Sequence, residues 1–202
     1  MRDLKGRIGS VASSEKITGA MKMISSAKMH KADMALRRVR PFRDQIQRTI
    51  NHLISADAEY SSPLTEARPV KRRAVVLLSS DEGLCGAFNM NLFKRTLELI
   101  NRGREEAGNS VMFVVYPVGK KASQFARKLV GKGVEIAVVD YMTAKSSGEE
   151  IARFTSELTR DFLAGKIDEI EVVYTHYKSA SKQLLATRKL LSLIHISEPT
   201  RH

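Results

Sequence analysis

Arg73-Ala74-Val75-Val76-Leu77-Leu78-Ser79-Ser80-Asp81-Glu82-Gly83-Leu84-Cys85-Gly86-Ala87-Phe88-Asn89 is the stretch that decides the fold. Its first part is a continuous apolar run, Arg73 to Ser80, as expected for a strand covered on both faces, where no side is left for polar side chains. A short turn containing Gly83 and Gly86 follows. From Asn89 to Ala107 the apolar residues Leu92, Phe93, Leu97, Ile100 and Ala107 then recur at helical spacing. The same strand-then-helix order repeats downstream. Ser110–Val118 reads as a strand, Lys120–Val130 as a helix ended by Gly131, Val134–Val139 as a strand, Gly148–Leu163 as a helix and Ile170–Tyr177 as a fourth strand. Strands alternating with helices of this length predict an α/β fold, a Rossmann-like sandwich with a mostly parallel sheet and helices on both faces, over residues 73–191.

Upstream the character changes. Residues 56–72 carry Asp, Glu, Ser and Pro with few large apolar groups, and read as a linker. Residues 1–55 read as one long helix. Apolar positions Ile17, Met21, Ile24, Ala32, Ala35, Val39, Phe42, Ile46, Ile50 and Leu53 recur in threes and fours, broken once by Lys28. That is a coiled-coil seam, close to a 3.5-residue repeat. About 45 residues at about 1.5 Å each give a rod of roughly 70 Å, which cannot bury its own stripe and needs a partner helix. Pro41 should bend or locally break the rod. Between Gly19 and Lys31 the helix is rich in Ala, Ser and Met, side chains that suit a close or adaptable contact.

Composition narrows the function classes. The chain has 202 residues, a formal net charge of +12 and 43% hydrophobic residues, ordinary for a folded protein with a sizeable core. The single cysteine excludes an internal disulfide framework, and no apolar run is long enough to span a bilayer. Residues 1–50 hold 12 Lys/Arg against 4 Asp/Glu, most of the net charge, so an acidic partner is expected for the long helix rather than for the α/β part. Nucleic acid, anionic lipid and an acidic protein surface all fit that imbalance.

The loop after the first strand is where a doubly wound sheet often holds phosphate. This one has neither a G-x-G-x-x-G pattern nor the Gly-Lys-Ser/Thr ending of a P-loop, and Asp81 and Glu82 would repel an anion. Cys85 lacks a histidine that spacing could bring to it; a small buried residue in a Gly-flanked turn is the expected role. Asp81, Glu82, Asp140 and Asp168 fall near strand ends, where carboxylates bind metals but also cap turns. No catalytic constellation, cofactor site or metal site emerges.

Two stretches carry a specific resemblance. Glu15-Lys16-Ile17-Thr18-Gly19-Ala20-Met21-Lys22-Met23-Ile24-Ser25-Ser26-Ala27-Lys28 resembles the QKITKAMKMVSAAK segment of the gamma subunit of F-type ATP synthases, and Ser80 to Asn89 resembles that family's SDRGLCGGFN loop. Arg40-Pro41-Phe42 matches its Arg-Pro-aromatic, and the order of elements agrees over residues 1–191. The resemblance implies a non-catalytic central rotor shaft that couples ion flow to ATP synthesis or hydrolysis, and regulates it, by turning inside a ring of alpha and beta subunits. The foot would lie against the epsilon subunit and the c-ring. Membrane association would be indirect, at the cytoplasmic face of a bacterial inner membrane, with no bound cofactor and no nucleic acid. It further implies ring contacts at Lys16, Ile17, Met21, Lys22, Met23, Ser26 and Lys28, a coiled-coil seam through Ile24, Ala35, Val39, Phe42, Ile46, Ile50 and Leu53, and a motif loop of Asp81, Gly83, Leu84, Cys85, Gly86, Phe88 and Asn89. Gly19, Glu82 and Ala87 depart from common family residues. Residues 192–202 resemble nothing in the family and read as an artefactual tail in place of the family's C-terminal helix. The alternative reading of the basic helix and α/β domain is a nucleic-acid-binding protein, although no recognition motif accompanies it.

Overall fold

The computed structural model describes residues 2–55, 63–64, 68–107, 110–131, 133–179 and 182–191. It divides into two units, Met1–Tyr60 and Ser61–His202. The expected tail, 192–202, and most of the expected linker lie outside the described residues.

Among the described residues the first unit is a single helix, α1 (Arg2–Ser55). Asp3 in its first turn faces the positive end of the helix dipole. Hydroxyls that would compete with helical backbone bonding are absorbed into it: Ser13 Oγ donates to the Gly9 carbonyl at 3.0 Å, and Thr18 Oγ1 to the Ser14 carbonyl at 2.8 Å. Arg37 and Asp33, one turn apart, pair at 2.8 Å. Pro41 lies inside α1, which continues through it without the local break that was one of the two expected effects. A proline removes one backbone donor, and the helical bonding on either side carries the helix through it.

Among the described residues the second unit is a five-stranded sheet with three α-helices. In chain order these are β1 (Arg72–Leu78), α2 (Phe88–Glu106), β2 (Met112–Val118), α3 (Lys120–Ala126), β3 (Val134–Ile136), α4 (Gly148–Leu163), β4 (Glu169–Tyr177) and β5 (Gln183–Leu191). The sheet order is β3-β2-β1-β4-β5. β1, β2, β3 and β4 are parallel, in register through Val75↔Val115 and Val75↔Glu171, whereas β5 returns antiparallel to β4. Alternate residues of the central strands enter opposite cores, as a two-residue period requires. Val75, Leu77, Phe113, Val115 and Val173 pack under α2 and α3 with Leu92, Ile100, Ala122 and Ala126. Ala74, Val76, Ile170 and Val172 pack on the other face under α4, against Phe154, Leu158 and Phe162. α4 starts at a capping box, in which Ser147 accepts from the Glu150 N–H and Glu150 returns to the Ser147 N–H.

Three local expectations are corrected. The helix expected to run to Val130 ends at Ala126 and tightens into a 3-10 turn, Arg127–Leu129. β3 is three residues long rather than six, because it pairs only with β2, and Val138 beyond it is exposed. Residues 183–191 form an edge strand that the apolar pattern does not announce. Within the stretch expected as linker, Arg68 is already tied into the second unit. Its guanidinium donates to the Phe162 carbonyl at 2.7 Å and to the Ile167 carbonyl, pairs with Asp168 at 3.1 Å and stacks 4.3 Å from the Phe162 ring.

Candidate functional site

The helix α1 presents its apolar positions to solvent: Ile17, Ile24, Val39 and Ile46 are exposed, and Phe42 is 69% exposed. Ala35 and Ile50 are exposed as well; the side chain of Leu53 lies outside the described residues. The ten steps from Ile17 to Leu53 average 3.6 residues, the period of the helix itself. The expected repeat near 3.5 is therefore corrected: at about 100° per residue all these positions stay within an arc of about 80°, parallel to the axis over ten turns.

That geometry divides the seven expected ring contacts. Ile17, Met21 and Lys28 lie on the seam. Lys16, Lys22, Met23 and Ser26 lie on the far side of the helix, more than about 100° from the seam's centre, with Lys16 and Lys22 about 120° apart. All seven are exposed. One face is thus free for a partner helix, and the opposite face is free for something else.

In the second unit, the loop from Ser79 to Phe88 is cross-tied at the carboxyl ends of the strands. Asn89 is buried; its amide donates to Ser80 Oγ at 2.9 Å and Cys85 Sγ at 3.1 Å, and its Oδ1 accepts from the Ser80 N–H at 3.2 Å. Ser79 Oγ accepts from the Ala122 N–H at 2.7 Å. Asp81 accepts through Oδ1 from the Lys120 N–H at 3.0 Å, at the start of α3, and through Oδ2 from the Ala144 N–H at 3.2 Å. Three strand-to-helix loops therefore meet at one carboxylate. The protein's own anion sits where a doubly wound sheet offers backbone N–H groups to phosphate, and nothing in the loop replaces it with a cation.

Leu84 adopts φ +58°, unusual outside glycine, and stands 95% exposed between Gly83 and Cys85. This turn carries Cys85 outward as well. The expectation of a buried cysteine is corrected: the thiol is exposed and free. Gly86 also has positive φ, +57°, and Phe88 turns back against the core beneath α2. Asp168 caps the start of β1, accepting from the Lys71 and Arg72 N–H groups at 2.9 Å each. Among the described residues, no three His, Cys, Asp or Glu side chains converge as metal ligands.

Some charged groups were invisible in the sequence. Glu169 on β4 is almost fully buried between Arg73 on β1, at 2.5 Å, and Lys189 on β5. Glu171, two residues along on the same face, is buried too, and burial pushes its carboxyl above the usual range despite the opposing pull of Arg73, Lys189 and Arg102. The one available signal was a pair of acids inside an apolar strand, Glu169-Ile170-Glu171-Val172. Against α4, Tyr141 donates to Glu157. Loss of solvent and that bond push the tyrosine up to about 12, and the same bond, with Arg153, holds Glu157 below its usual range. A cleft of about 440 Å³ opens between α2 and the β4–β5 hairpin, lined among others by Phe88, Lys94, Arg95, Thr175 and Leu185.

A long helix exposed along its apolar face, together with an α/β sheet whose anion seat is filled by its own carboxylate, defines a protein organised around contact surfaces. The family model described as ATP synthase matches residues 1–201. The ATP synthase gamma chain of Bacteroides thetaiotaomicron is 35% identical over 193 residues, covering 96% of this chain and 63% of the relative. That of Bacteroides fragilis is 37% identical over 195 residues, covering 96% and 65%. Among solved structures, a chain of the Tetrahymena thermophila mitochondrial ATP synthase central stalk and c-ring aligns with a TM-score of 0.60 at 20% identity, over 87% of this chain and 72% of that one, a likeness of fold. The chain belongs to the ATP synthase family. It spans 63 to 65% of the length of these gamma-chain relatives, and the family match runs across residues 192–201 as well.

Proposed function

We propose that this chain acts as the gamma, central-stalk subunit of an F-type ATP synthase. It transmits torque between ion flow and the catalytic ring and holds no catalytic residue of its own. The alpha and beta subunits surround α1, while the α/β unit forms the foot beside the epsilon subunit and the c-ring. The complex as a whole holds it at the cytoplasmic face of a bacterial inner membrane. In this reading each rotational position of an asymmetric shaft favours a different conformation of each surrounding subunit, so turning the shaft shifts their binding equilibria.

The observation that carries the reading is the division of α1 into two exposed faces. The seam face suits a partner helix, and the far face, with Lys16, Lys22, Met23 and Ser26, suits a ring that must be gripped and released. Basic residues are spread around the helix rather than gathered in one stripe: Arg37 and Lys16 lie on the far side, Arg43 beside the seam, and Arg37 and Arg43 are paired to Asp33 and Asp44. A nucleic-acid-tracking helix would gather them.

The test is co-expression of this chain with the alpha and beta subunits of Bacteroides fragilis. Recovery of one complex by size exclusion, carrying ATPase activity that the isolated chain lacks, is the expected result. An alpha–beta assembly that excludes the chain under these conditions would refute the proposal.

A further inference from the structure

We propose that the outer edge of β5 is a docking strand for an acidic, extended protein segment, which joins the sheet as a sixth strand. The inference rests on the second unit alone and goes beyond the shaft. β5 is nine residues long and terminates the sheet; among the described residues nothing pairs with its outer side. An open edge of that length presents a row of backbone donors and acceptors to any strand that can approach. Its apolar side chains are also open on both faces, with Leu184 and Leu185 each 43% exposed and Leu190 53%. The cleft beside α2 adjoins Gln183 and Leu185, in reach of alternate side chains of an added strand.

Charge selects the occupant. From Val172 to Leu191 there is no acidic residue, but four basic ones, Lys178, Lys182, Arg188 and Lys189. Lys189 is turned inward to Glu169. Lys178, Lys182 and Arg188 are exposed and form no ion pair among the described residues. A second copy of this edge would bring two such hairpins together, so like-charge repulsion guards against self-pairing. The same charges favour an acidic strand. A purely electrostatic ligand such as duplex DNA would use neither the open backbone edge nor the leucines.

The experiment uses the whole 202-residue chain and a nine-residue peptide alternating Val and Glu, capped at both ends. Binding is followed by anisotropy of the labelled peptide, and the site by amide hydrogen exchange. Slowed exchange in residues 183–191 is expected. Affinity should fall at least tenfold when alternate peptide nitrogens are methylated, which removes ladder bonds, and at least tenfold in the Lys182→Glu/Arg188→Glu double variant. Circular dichroism checks that the variant is folded. No protection of β5, equal binding of the methylated peptide, equal protection by duplex DNA, or concentration-dependent protection without peptide would each overturn the proposal.

Discussion

Gly119 ends β2 and begins α3 at φ +95° and ψ 149°, a region that side chains rarely enter. A Cβ built there would lie 2.6 Å from the Ser79 carbonyl oxygen and 2.9 Å from Ser79 Oγ. Gly119→Ala therefore brings two penalties. The backbone conformation costs about 1–3 kcal/mol for a residue with a Cβ. Relief of the clash must move Ser79, whose N–H donates to the Val118 carbonyl at 2.9 Å and whose Oγ accepts from the Ala122 N–H, adding about 1–3 kcal/mol of overpacking and weakened bonding. The total of roughly 2–6 kcal/mol is a large share of a typical domain's stability. Gly131→Ala is the control: φ is +83°, but nothing lies within 4 Å of its Cβ, so only strain of about 1–2 kcal/mol is expected. Urea unfolding followed by tyrosine fluorescence reads the second unit, which holds four of the five tyrosines, at 116, 141, 174 and 177. If the two variants fell within about 1 kcal/mol of each other, the close crossing of Ser79 and Gly119 would be no constraint, and the reasoning would fail.

Further measurements test other parts. Burial raises Glu171, so its ionised form is disfavoured in the fold and stability is lost as pH rises through the raised value; Glu171→Gln should be the more stable form above neutrality and should flatten the pH dependence of urea midpoints. Tyr141, raised from 10.0 to about 12, contributes stability that is complete below pH 10 and disappears as pH rises toward 12; in Tyr141→Phe the latest step of the ultraviolet tyrosine titration should vanish. Asp81→Ala removes the shared acceptor of the Lys120 and Ala144 N–H groups, and hydrogen exchange at both amides should quicken together, whereas quickening at one alone would contradict a joint tie. Lys22→Glu with Ser26→Glu alters the exposed far face of α1, so unfolding of the second unit should shift by less than about 0.5 kcal/mol, while recovery with the alpha and beta subunits should fall; unchanged recovery would show that the far face makes no contact in the complex.

The sequence made the buried elements legible because burial imposes a pattern. β1 and β2 carry continuous apolar runs since both faces are covered, and α4 has its bounds written in a capping box and an apolar stripe. β5 escaped because Gln183-Leu184-Leu185-Ala186-Thr187-Arg188-Lys189-Leu190-Leu191 is poor in β-branched residues; pairing with β4, not propensity, makes it a strand. Cys85 was misjudged for a related reason. Two glycines suggest a tight turn, but which way the turn faces depends on the φ of Leu84, and residue types do not encode that. In α1 the list of expected contacts merged two faces, because a stretch of near-consecutive residues on a helix points in every direction.

The two units keep their chemistry apart in a way that bears on function. In the α/β unit, three polar side chains at the carboxyl ends of the strands are committed to the fold: Asp81 to two backbone amides, Asn89 to Ser80 and Cys85, Ser79 to the start of α3. Such cross-ties make the loop end of the sheet stiff, since moving one loop breaks bonds in the others. In α1 the opposite holds. Most side chains are exposed, and the seam, interrupted by Lys28, follows the helix's own period over ten turns. In the proposed function a twisting force is transmitted only if the α/β unit does not yield. The Gly119 and Asp81 variants therefore probe more than stability, because loosening the loop end should weaken mechanical coupling while leaving the contact faces of α1 unchanged.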